Sequence, residues 1–226
     1  MSRILIVEDN ANLAYGLRNN LEIAGYEVDV VEDGEAALVR VDDALPDLIV
    51  LDLMLPGVDG YRVLRRLRED GHDMPVLILT ARSEEADKIL GFRLGADDYV
   101  TKPFSVLEII ERVAALLRRT GRPAGEGAPL SFGDVHVDRA TRTVRRRGEP
   151  VALTPIEFDL LVALRTRAGA VASRLELLRE VWGHNAAVVT RTVDTHIAEL
   201  RRKLEHDPST PRHILTVRKI GYRLRP

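Results

Sequence analysis

The first half of the chain alternates short apolar runs with longer amphipathic segments. Five runs, RILIV, EVDVV, DLIVLD, PVLILT and DDYVT, are each followed by a stretch whose apolar residues recur at helical spacing. Stretches such as LIVL and VLIL are apolar at every position, which is typical of strands buried on both faces of a parallel sheet. The pattern predicts an α/β domain with a doubly wound (βα)5 sheet covered by helices on both faces.

This alternation stops near Gly121, where GRPAGEGAP shows no hydrophobic period and has the composition of a linker. Short strand-like pieces, three helical segments and the hairpin-like ILTVRKIGYRL follow. One of these helices should begin at Pro155, because Thr154 has the character of an N-cap, Pro155 suits the first helical position and Glu157 completes a capping box. We therefore predict domains at 1–120 and 130–226, joined by a linker at 121–129.

Composition narrows the possible functions. The chain has no cysteine, which excludes disulfides, thiolate zinc sites and cysteine nucleophiles. Its N-terminal apolar run meets acidic residues within the first ten positions and is too short for a signal peptide or a membrane span, so we expect a cytoplasmic location without membrane association.

The net charge of −2 hides two halves of opposite sign. Residues 1–121 hold 14 Lys and Arg against 23 Asp and Glu, a balance of −9, whereas residues 122–226 hold 19 against 12, a balance of +7. A basic half suits a polyanion such as DNA, and an acidic half suits a cation.

The crevice of a doubly wound sheet lies beyond the carboxyl ends of its strands. Glu8 and Asp9 follow the first run, Asp52 ends the third, Thr80 ends the fourth, and Lys102 follows the fifth. Carboxylates brought close together repel unless a cation lies among them, and Mg²⁺ is the oxygen-preferring ion that joins carboxylates to phosphate. We predict Asp52 as a nucleophile for phosphoryl transfer and Lys102 as a point charge beside the phosphoryl group.

The motifs IVEDN, LDLMLPGVDG, LTA and GADDYVTKPF, at these spacings, resemble the receiver domain of response regulators of the OmpR/PhoB family, and the resemblance covers the whole chain. It implies a flavodoxin-like receiver followed by an α+β winged helix-turn-helix domain. By this resemblance Asp9 and Asp52 ligate Mg²⁺ directly, the backbone carbonyl of Met54 adds a ligand, and Glu8 acts through water.

The resemblance also implies a switch and a function. Thr80 would bind a phosphoryl oxygen, Tyr99 would turn inward with it, and Lys102 and Pro103 would be joined by a cis peptide bond. A sensor histidine kinase would phosphorylate Asp52, and the protein would then dimerise and bind promoter DNA to regulate transcription. Its only catalysis would be its own phosphotransfer and slow dephosphorylation, so it would not be an enzyme in the usual sense.

Family members pair through charged residues of the fourth helix, the fifth strand and the fifth helix. The matching pairs here, each formed across a two-fold axis, are Lys88 with Glu108, Asp98 with Arg112, and Asp97 with Arg119. Val106 departs from the usual proline after KPFS, which should affect only the start of the fifth helix.

The segment TRTVDTHIAELRRKLE has helical spacing, with an apolar stripe at Val193, Ile197, Leu200 and Leu204. The opposite stripe is predicted to read DNA in the major groove, and its members are Arg191, Thr192, Thr195, His196, Arg201, Arg202 and Lys203. For His196 an ordinary hydrogen-bonded role is an equal alternative. Ala198 and Glu199 replace common arginines, so the operator sequence cannot be copied from relatives.

The final hairpin matches the family's wing, which places Arg218 at the minor groove and adds Thr216 and Tyr222 to the DNA contacts. The stretch ELLREVWG and the loop after it match the region that meets RNA polymerase, with Trp182 in the core. The implied partners are a sensor histidine kinase, double-stranded DNA with tandem half-sites, RNA polymerase and a second copy of the chain.

Two alternatives stay open. A phosphohydrolase of the haloacid dehalogenase type needs an acidic residue two positions after the nucleophile, and Met54 disfavours it. A receiver that serves only as a fixed dimerisation module is disfavoured because every pocket residue is present. A nicotinamide or flavin enzyme is disfavoured because no GxGxxG follows the first strand of this chain. The cognate kinase, the stimulus, the operator and the interdomain arrangement do not follow from the sequence.

Overall fold

The computed structural model describes residues 1–81, 85–120, 130–182 and 191–225, except for the side chains of 85, 86, 88, 89, 119, 120 and 191. The chain divides into two compact units, Met1–Thr120 and Gly121–Pro226.

The first unit is a five-stranded parallel sheet with alternating helices, as predicted. Its elements are β1 (Arg3–Val7), α1 (Ala11–Ile23), β2 (Glu27–Val31), α2 (Gly34–Asp43), β3 (Leu48–Asp52), α3 (Gly60–Glu69), β4 (Val76–Thr80), α4 (Glu85–Arg93), β5 (Asp98–Thr101) and α5 (Val106–Thr120). The strand order is β2-β1-β3-β4-β5, and every neighbouring pair is parallel. The doubly wound prediction is confirmed.

Burial explains this sheet. Every residue of β3 and β4 is buried, which accounts for the continuously apolar runs that encode these central strands. Helices α1, α2 and α3 each begin after a side-chain cap, supplied by Asn10, Asp33 and Asp59. Each such cap stabilises its helix by about 1 kcal/mol, and the loops before these helices lie at the carboxyl edge of the sheet because they follow β1, β2 and β3.

In the second unit, the described residues form two small antiparallel sheets and three helices. Its elements are β6 (Leu130–Phe132), β7 (Val135–Asp138), β8 (Thr143–Arg146), β9 (Glu149–Pro150), α6 (Pro155–Arg165), β10 (Ala172–Ser173), α7 (Arg174–Trp182), α8 (Arg191–Leu204), β11 (Ile214–Val217) and β12 (Gly221–Leu224). The sheet orders are β6-β7-β8-β9 and β10-β12-β11. This is the predicted α+β winged-helix architecture.

Helix α6 begins as its sequence signal predicts. The Thr154 side chain accepts a hydrogen bond from the Glu157 amide, and the Glu157 carboxylate accepts one from the Thr154 amide. The reciprocal pair fixes the entry of α6 into the helical core, where Leu161, Leu177 and Leu200 are fully buried. Within the described residues, no helix combines the length and apolar character that a membrane crossing requires.

Candidate functional site

Acidic side chains meet one ammonium at the carboxyl edge of the parallel sheet. Glu8 and Asp9 follow β1, Asp52 ends β3, and Lys102 follows β5. One oxygen from each of the three carboxylates lies within 4.8 Å of the others. The Lys102 Nζ donates to Glu8 Oε2 and to Asp52 Oδ2, at 2.7 Å in both cases. The structure therefore brings together four of the predicted pocket residues.

Burial makes this cluster electrostatically demanding. Glu8 is 1% and Asp52 4% exposed. Burial raises the pKa of Glu8, the hydrogen bond from Lys102 only partly opposes this, and the charge of Asp52 adds to it. For Lys102, burial disfavours the ammonium, but its hydrogen bonds to Asp52 and Glu8 outweigh burial and raise the pKa of Lys102.

The Lys102 ammonium brings one positive charge to a cluster of three carboxylates, so the cluster attracts a further cation. The ligand atoms are carboxylate oxygens, the type that hard cations prefer, and the cluster is consistent with a metal site. The Met54 amide donates to Asp52 Oδ1 at 2.9 Å, while Lys102 occupies Oδ2. Both oxygens of Asp52 are thus oriented by neighbours. The Met54 carbonyl as a ligand stays a prediction.

Thr80 and Tyr99 lie on the neighbouring strands β4 and β5, two positions apart in register, because Tyr99 pairs with Ile78. Thr80 is fully buried and Tyr99 is 8% exposed, so the tyrosine ring occupies an inward position. Burial raises the pKa of Tyr99, and its hydroxyl hydrogen-bonds to the Thr80 hydroxyl. The phenol therefore stays protonated. The peptide bond between Lys102 and Pro103 is cis, as expected.

Sequence reasoning missed Tyr61, in α3. Its hydroxyl donates to the backbone carbonyl oxygen of Asp87 in α4 at 3.0 Å and also hydrogen-bonds to Tyr99. A half-buried tyrosine on an amphipathic helix gives no sequence signal for such a link, because the pattern shows only the face on which the residue lies.

The predicted dimer face is bonded within one chain. Arg112 is 8% exposed, and its guanidinium contacts Asp98 Oδ2 and Glu108 Oε1, each at 2.7 Å. The Asp98–Arg112 pair expected across a two-fold axis thus exists inside a single copy. The side chains of Lys88 and Arg119 lie outside the described residues, so their pairings stay predictions.

Asp97, the remaining residue of that face, is fully buried. Its Oδ2 accepts from the Val76 amide at 2.9 Å and contacts the Arg68 guanidinium at 3.3 Å. Arg68 also donates to the carbonyl of Gly95 at 2.8 Å. These bonds tie the end of α3 to the segment before β5, which gives Asp97 a structural task within its own domain.

Helix α8 confirms the apolar stripe but corrects the opposite one. Val193, Ile197 and Leu200 are buried as predicted, yet His196 is 1% and Thr192 8% exposed. Their placement on the exposed stripe was wrong because position 196 lies three residues after Val193 and next to Ile197, on the edge of the buried face at 3.6 residues per turn. The His196 ring packs against Trp182, with ring centroids 5.3 Å apart.

Three other predicted DNA contacts make bonds within the domain. Arg201 donates to the Ile214 carbonyl at 2.9 Å and to the Thr216 hydroxyl at 2.8 Å. Lys203 contacts the buried Glu157 of α6. These bonds join α8 to the wing and to α6, so both cations position the helix. Arg202 is exposed on its surface and paired with Glu199.

Tyr222 also has a positioning role. It is 4% exposed, and its hydroxyl donates to Asp194 Oδ1 in α8 at 2.5 Å. Burial, followed by this hydrogen bond, raises the pKa of Tyr222 to about 12. Arg174, at the start of α7, contacts the same Asp194 at 2.7 Å and lies over the Tyr222 ring. Sequence reasoning missed Arg174.

The wing turns tightly between β11 and β12. The Ile220 amide donates to the Val217 carbonyl at 3.0 Å, and Arg218, Lys219 and Ile220 are exposed at the tip. Lys219 has a φ of 64°, a left-handed conformation that glycine adopts most readily. Lys219 thus stands beside Arg218 at the tip of the predicted wing, and its contact with DNA stays a prediction.

Known proteins match both units. Residues 4–114 match the family of the response regulator receiver domain, and residues 148–224 match the transcriptional regulatory protein, C terminal, family. The DNA-binding response regulator MtrA of Mycolicibacterium smegmatis is 46% identical over 224 residues, covering 99% of this chain and 97% of its own. The phosphate regulon transcriptional regulatory protein PhoB of Rhizobium meliloti is 46% identical over 226 residues, covering 99% of each.

Solved structures agree. Response regulator DrrB of Thermotoga maritima, described as an OmpR/PhoB homolog, is 34% identical with a TM-score of 0.54 and 99% coverage of both chains. A mutant of RitR is 30% identical with a TM-score of 0.82, covering 100% of this chain and 99% of its own. The chain therefore belongs to the OmpR/PhoB family of two-component response regulators, DNA-binding proteins that control transcription and are not conventional enzymes.

Proposed function

We propose that Asp52 accepts a phosphoryl group from a sensor histidine kinase and that this modification controls DNA binding. The observation that carries the proposal is the Asp52 carboxylate, whose Oδ1 accepts from the Met54 amide and whose Oδ2 accepts from Lys102. Such fixed orientation presents a carboxylate oxygen for in-line attack on phosphorus. As the new P–O bond forms, the P–N bond of phosphohistidine breaks and the imidazole leaves with the electron pair.

Lys102 supports this transfer electrostatically. Its ammonium lies 2.7 Å from the attacking carboxylate, and its raised pKa keeps it charged. We propose that Asp9, Asp52 and the Met54 carbonyl hold Mg²⁺, with Glu8 acting through water. When bound, this ion would neutralise the negative charge on the phosphoryl oxygens. The acidic cluster offers only oxygen ligands, which fits Mg²⁺.

Thr80 and Tyr99 are the proposed response elements. The Thr80 hydroxyl ends β4 beside the pocket and is already bonded to Tyr99, so a new bond to a phosphoryl oxygen changes what Tyr99 can contact. We propose that this local change favours pairing of two receivers through α4, β5 and α5. Two linked DNA modules then gain from effective concentration on tandem half-sites.

For DNA recognition, we separate the predicted contacts that the structure shows bonded or packed inside the domain from the rest. Arg191, Thr195, Arg202, Arg218 and Lys219 are proposed to meet phosphates and base edges. His196, Arg201, Lys203, Thr216 and Tyr222 are bonded or packed inside the domain and are proposed to position α8 and the wing. We also propose 1–120 and 130–226 as the functional domains, 121–129 as their linker, RNA polymerase as a partner, and action in the cytoplasm, where kinase and chromosome are both accessible.

The phosphoacceptor is tested by intact-mass measurement after incubation with acetyl phosphate and Mg²⁺. Wild type and Asp59→Asn, a control that alters the exposed N-cap of α3, should each gain about 80 Da, the mass of one phosphoryl group. Asp52→Asn should gain nothing, and EDTA should abolish the gain in wild type. A mass gain in Asp52→Asn would exclude Asp52, and no gain in any protein would favour the fixed dimerisation module.

A charge reversal tests the dimer face separately. Glu108→Lys should weaken phosphorylation-dependent pairing, and the double variant Lys88→Glu with Glu108→Lys should restore it, because the two charges exchange signs across the interface. Equal dimerisation by wild type and Glu108→Lys would place the interface elsewhere.

A further inference from the structure

Three hydroxyl groups form a continuous series from the pocket to α4. Thr80 hydrogen-bonds to Tyr99, Tyr99 hydrogen-bonds to Tyr61, and Tyr61 donates to the backbone carbonyl of Asp87. Thr80 is fully buried and Tyr99 nearly so, which shields the first two links from water. Hydrogen bonds in such a series polarise one another in a low-dielectric interior.

The chemistry of the last link fixes the direction of all the others. A carbonyl oxygen only accepts, and each hydroxyl carries one hydrogen. Tyr61 therefore gives its hydrogen to Asp87, Tyr99 gives its hydrogen to Tyr61, and Thr80 gives its hydrogen to Tyr99. Three hydrogens fill three links.

Helix α4 packs tightly on this series. A Cβ placed on Gly91 would lie 3.6 Å from Cε2 of Tyr99 and 3.0 Å from the Ile78 side chain. The rings of Phe92 and Tyr99 are also neighbours, with centroids 6.3 Å apart. A change in the bonding of Tyr99 is therefore felt by α4.

We infer that Tyr61 is a positioning residue that couples the state of Thr80 to α4. The inference rests on the proposed phosphorylation of Asp52. A phosphoryl oxygen bonded to Thr80 adds a fourth link, and a phosphoryl oxygen without hydrogen brings none of its own. Four links cannot be filled by three hydrogens, so one must break.

Competition decides which link is lost. The bond from Thr80 to the phosphoryl oxygen is charge-assisted and is the strongest of the four. If Tyr99 keeps donating to Tyr61, the Thr80–Tyr99 link is lost. If Tyr99 turns its hydrogen to Thr80, either the Tyr99–Tyr61 link or the Tyr61–Asp87 link is lost. In every case the connection between β4 and α4 is interrupted, and phosphorylation releases α4 from the pocket.

The test is hydrogen exchange of α4 in the full chain, with and without beryllofluoride and Mg²⁺ as the phosphoryl mimic. In wild type the mimic should accelerate exchange of the amides from 87 to 93 by roughly 5-fold or more, the lower range of typical coupling factors. In Tyr61→Phe these amides should already exchange faster without the mimic and should respond little to it. Tyr15→Phe, which alters an exposed tyrosine of α1, should behave as wild type.

Coupling between two sites is reciprocal, so the affinity for beryllofluoride provides a second readout. A purely structural role of Tyr61 would leave that affinity unchanged. In Tyr61→Phe the two remaining hydroxyl hydrogens can fill both remaining links, from Thr80 to the mimic and from Tyr99 to Thr80, so no link has to break. This variant should therefore bind beryllofluoride more tightly than wild type, by the same factor by which its α4 response is reduced. The inference is overturned if Tyr61→Phe responds and binds as wild type does, or if wild-type α4 is indifferent to a mimic that binds. Failure of beryllofluoride to bind wild type would refute the proposed function together with this coupling, whereas an indifferent α4 with bound mimic refutes the coupling alone.

Discussion

Replacing Lys102 with methionine should destabilise the receiver in a way that depends on pH and on Mg²⁺. Methionine keeps much of the side-chain length and removes the ammonium that contacts Glu8 and Asp52 at 2.7 Å. Two buried carboxylates are then left facing each other. Breaking a buried ion pair costs about 3–5 kcal/mol, and because the Lys102 side chain is 23% exposed we expect about 2 kcal/mol at neutral pH.

The pH dependence follows from Glu8. Its folded-state pKa is raised above the ordinary value of 4.5, so the folded protein holds this proton more tightly than the unfolded chain. Stability from Glu8 is present below about pH 4.5 and is lost as the pH rises through the folded-state pKa. Without Lys102 that pKa rises further, so the deficit of Lys102→Met should be small near pH 4.5 and largest at neutral pH.

Urea unfolding of the full chain measures the effect. Circular dichroism should report a midpoint about 1 M lower for Lys102→Met in EDTA at neutral pH, given a typical m value of 1–3 kcal/mol/M. Mg²⁺ should narrow the difference, since it supplies the missing charge. Fluorescence of Trp182, the single tryptophan, reports the second unit and serves as an internal control. Arg18→Met, which removes an exposed pair with Glu22, should leave the midpoint nearly unchanged.

A deficit of equal size at pH 5 and pH 7.5, or one that Mg²⁺ leaves untouched, would refute this reasoning. Either result would mean that Lys102 stabilises the fold through packing and not through the charge of the pocket.

Three further predictions concern the DNA-binding unit. Lys219→Gly should weaken DNA binding and reduce the slope of log K against log salt by about 1, with unchanged or higher thermal stability, and an unchanged slope would remove Lys219 from the interface. His196→Ala should lower the stability of the second unit by about 2 kcal/mol in denaturant while the folded fraction keeps its operator affinity; a large affinity loss with intact stability would restore a direct contact. Tyr222 should titrate near pH 12, measured as the difference in tyrosinate absorbance between wild type and Tyr222→Phe, and the stability that Tyr222 provides should be lost as the pH rises from 10 through about 12. Titration near 10 would contradict both the burial of its hydroxyl and the bond to Asp194.

The sequence predicted the receiver fold well because its strands are buried on both faces. β3 and β4 are apolar without interruption, and such runs have few other interpretations when helical segments separate them. The pocket followed from topology, since parallel strands bring their carboxyl ends to one edge and Glu8, Asp52 and Lys102 all lie there.

The sequence could not predict which polar side chains are bonded or packed inside their own domain. His196 carries a polar ring but lies at the margin of the buried face of α8, where a shift of one position decides between core and solvent. Arg112 has the charge that an interface needs, yet it bonds to Asp98 within its own chain. Tyr61 reaches α4 through a contact 26 residues away in sequence, which helical periodicity does not encode.

The most direct test of the central claim is light scattering during size-exclusion chromatography of wild type and Asp52→Asn, each with acetyl phosphate and Mg²⁺. The account predicts that wild type alone shifts from a 25.2 kDa monomer to a dimer and that its affinity for a tandem operator rises with the shift. A wild type that gains a phosphoryl group on Asp52 but stays monomeric, with unchanged DNA affinity, would contradict it.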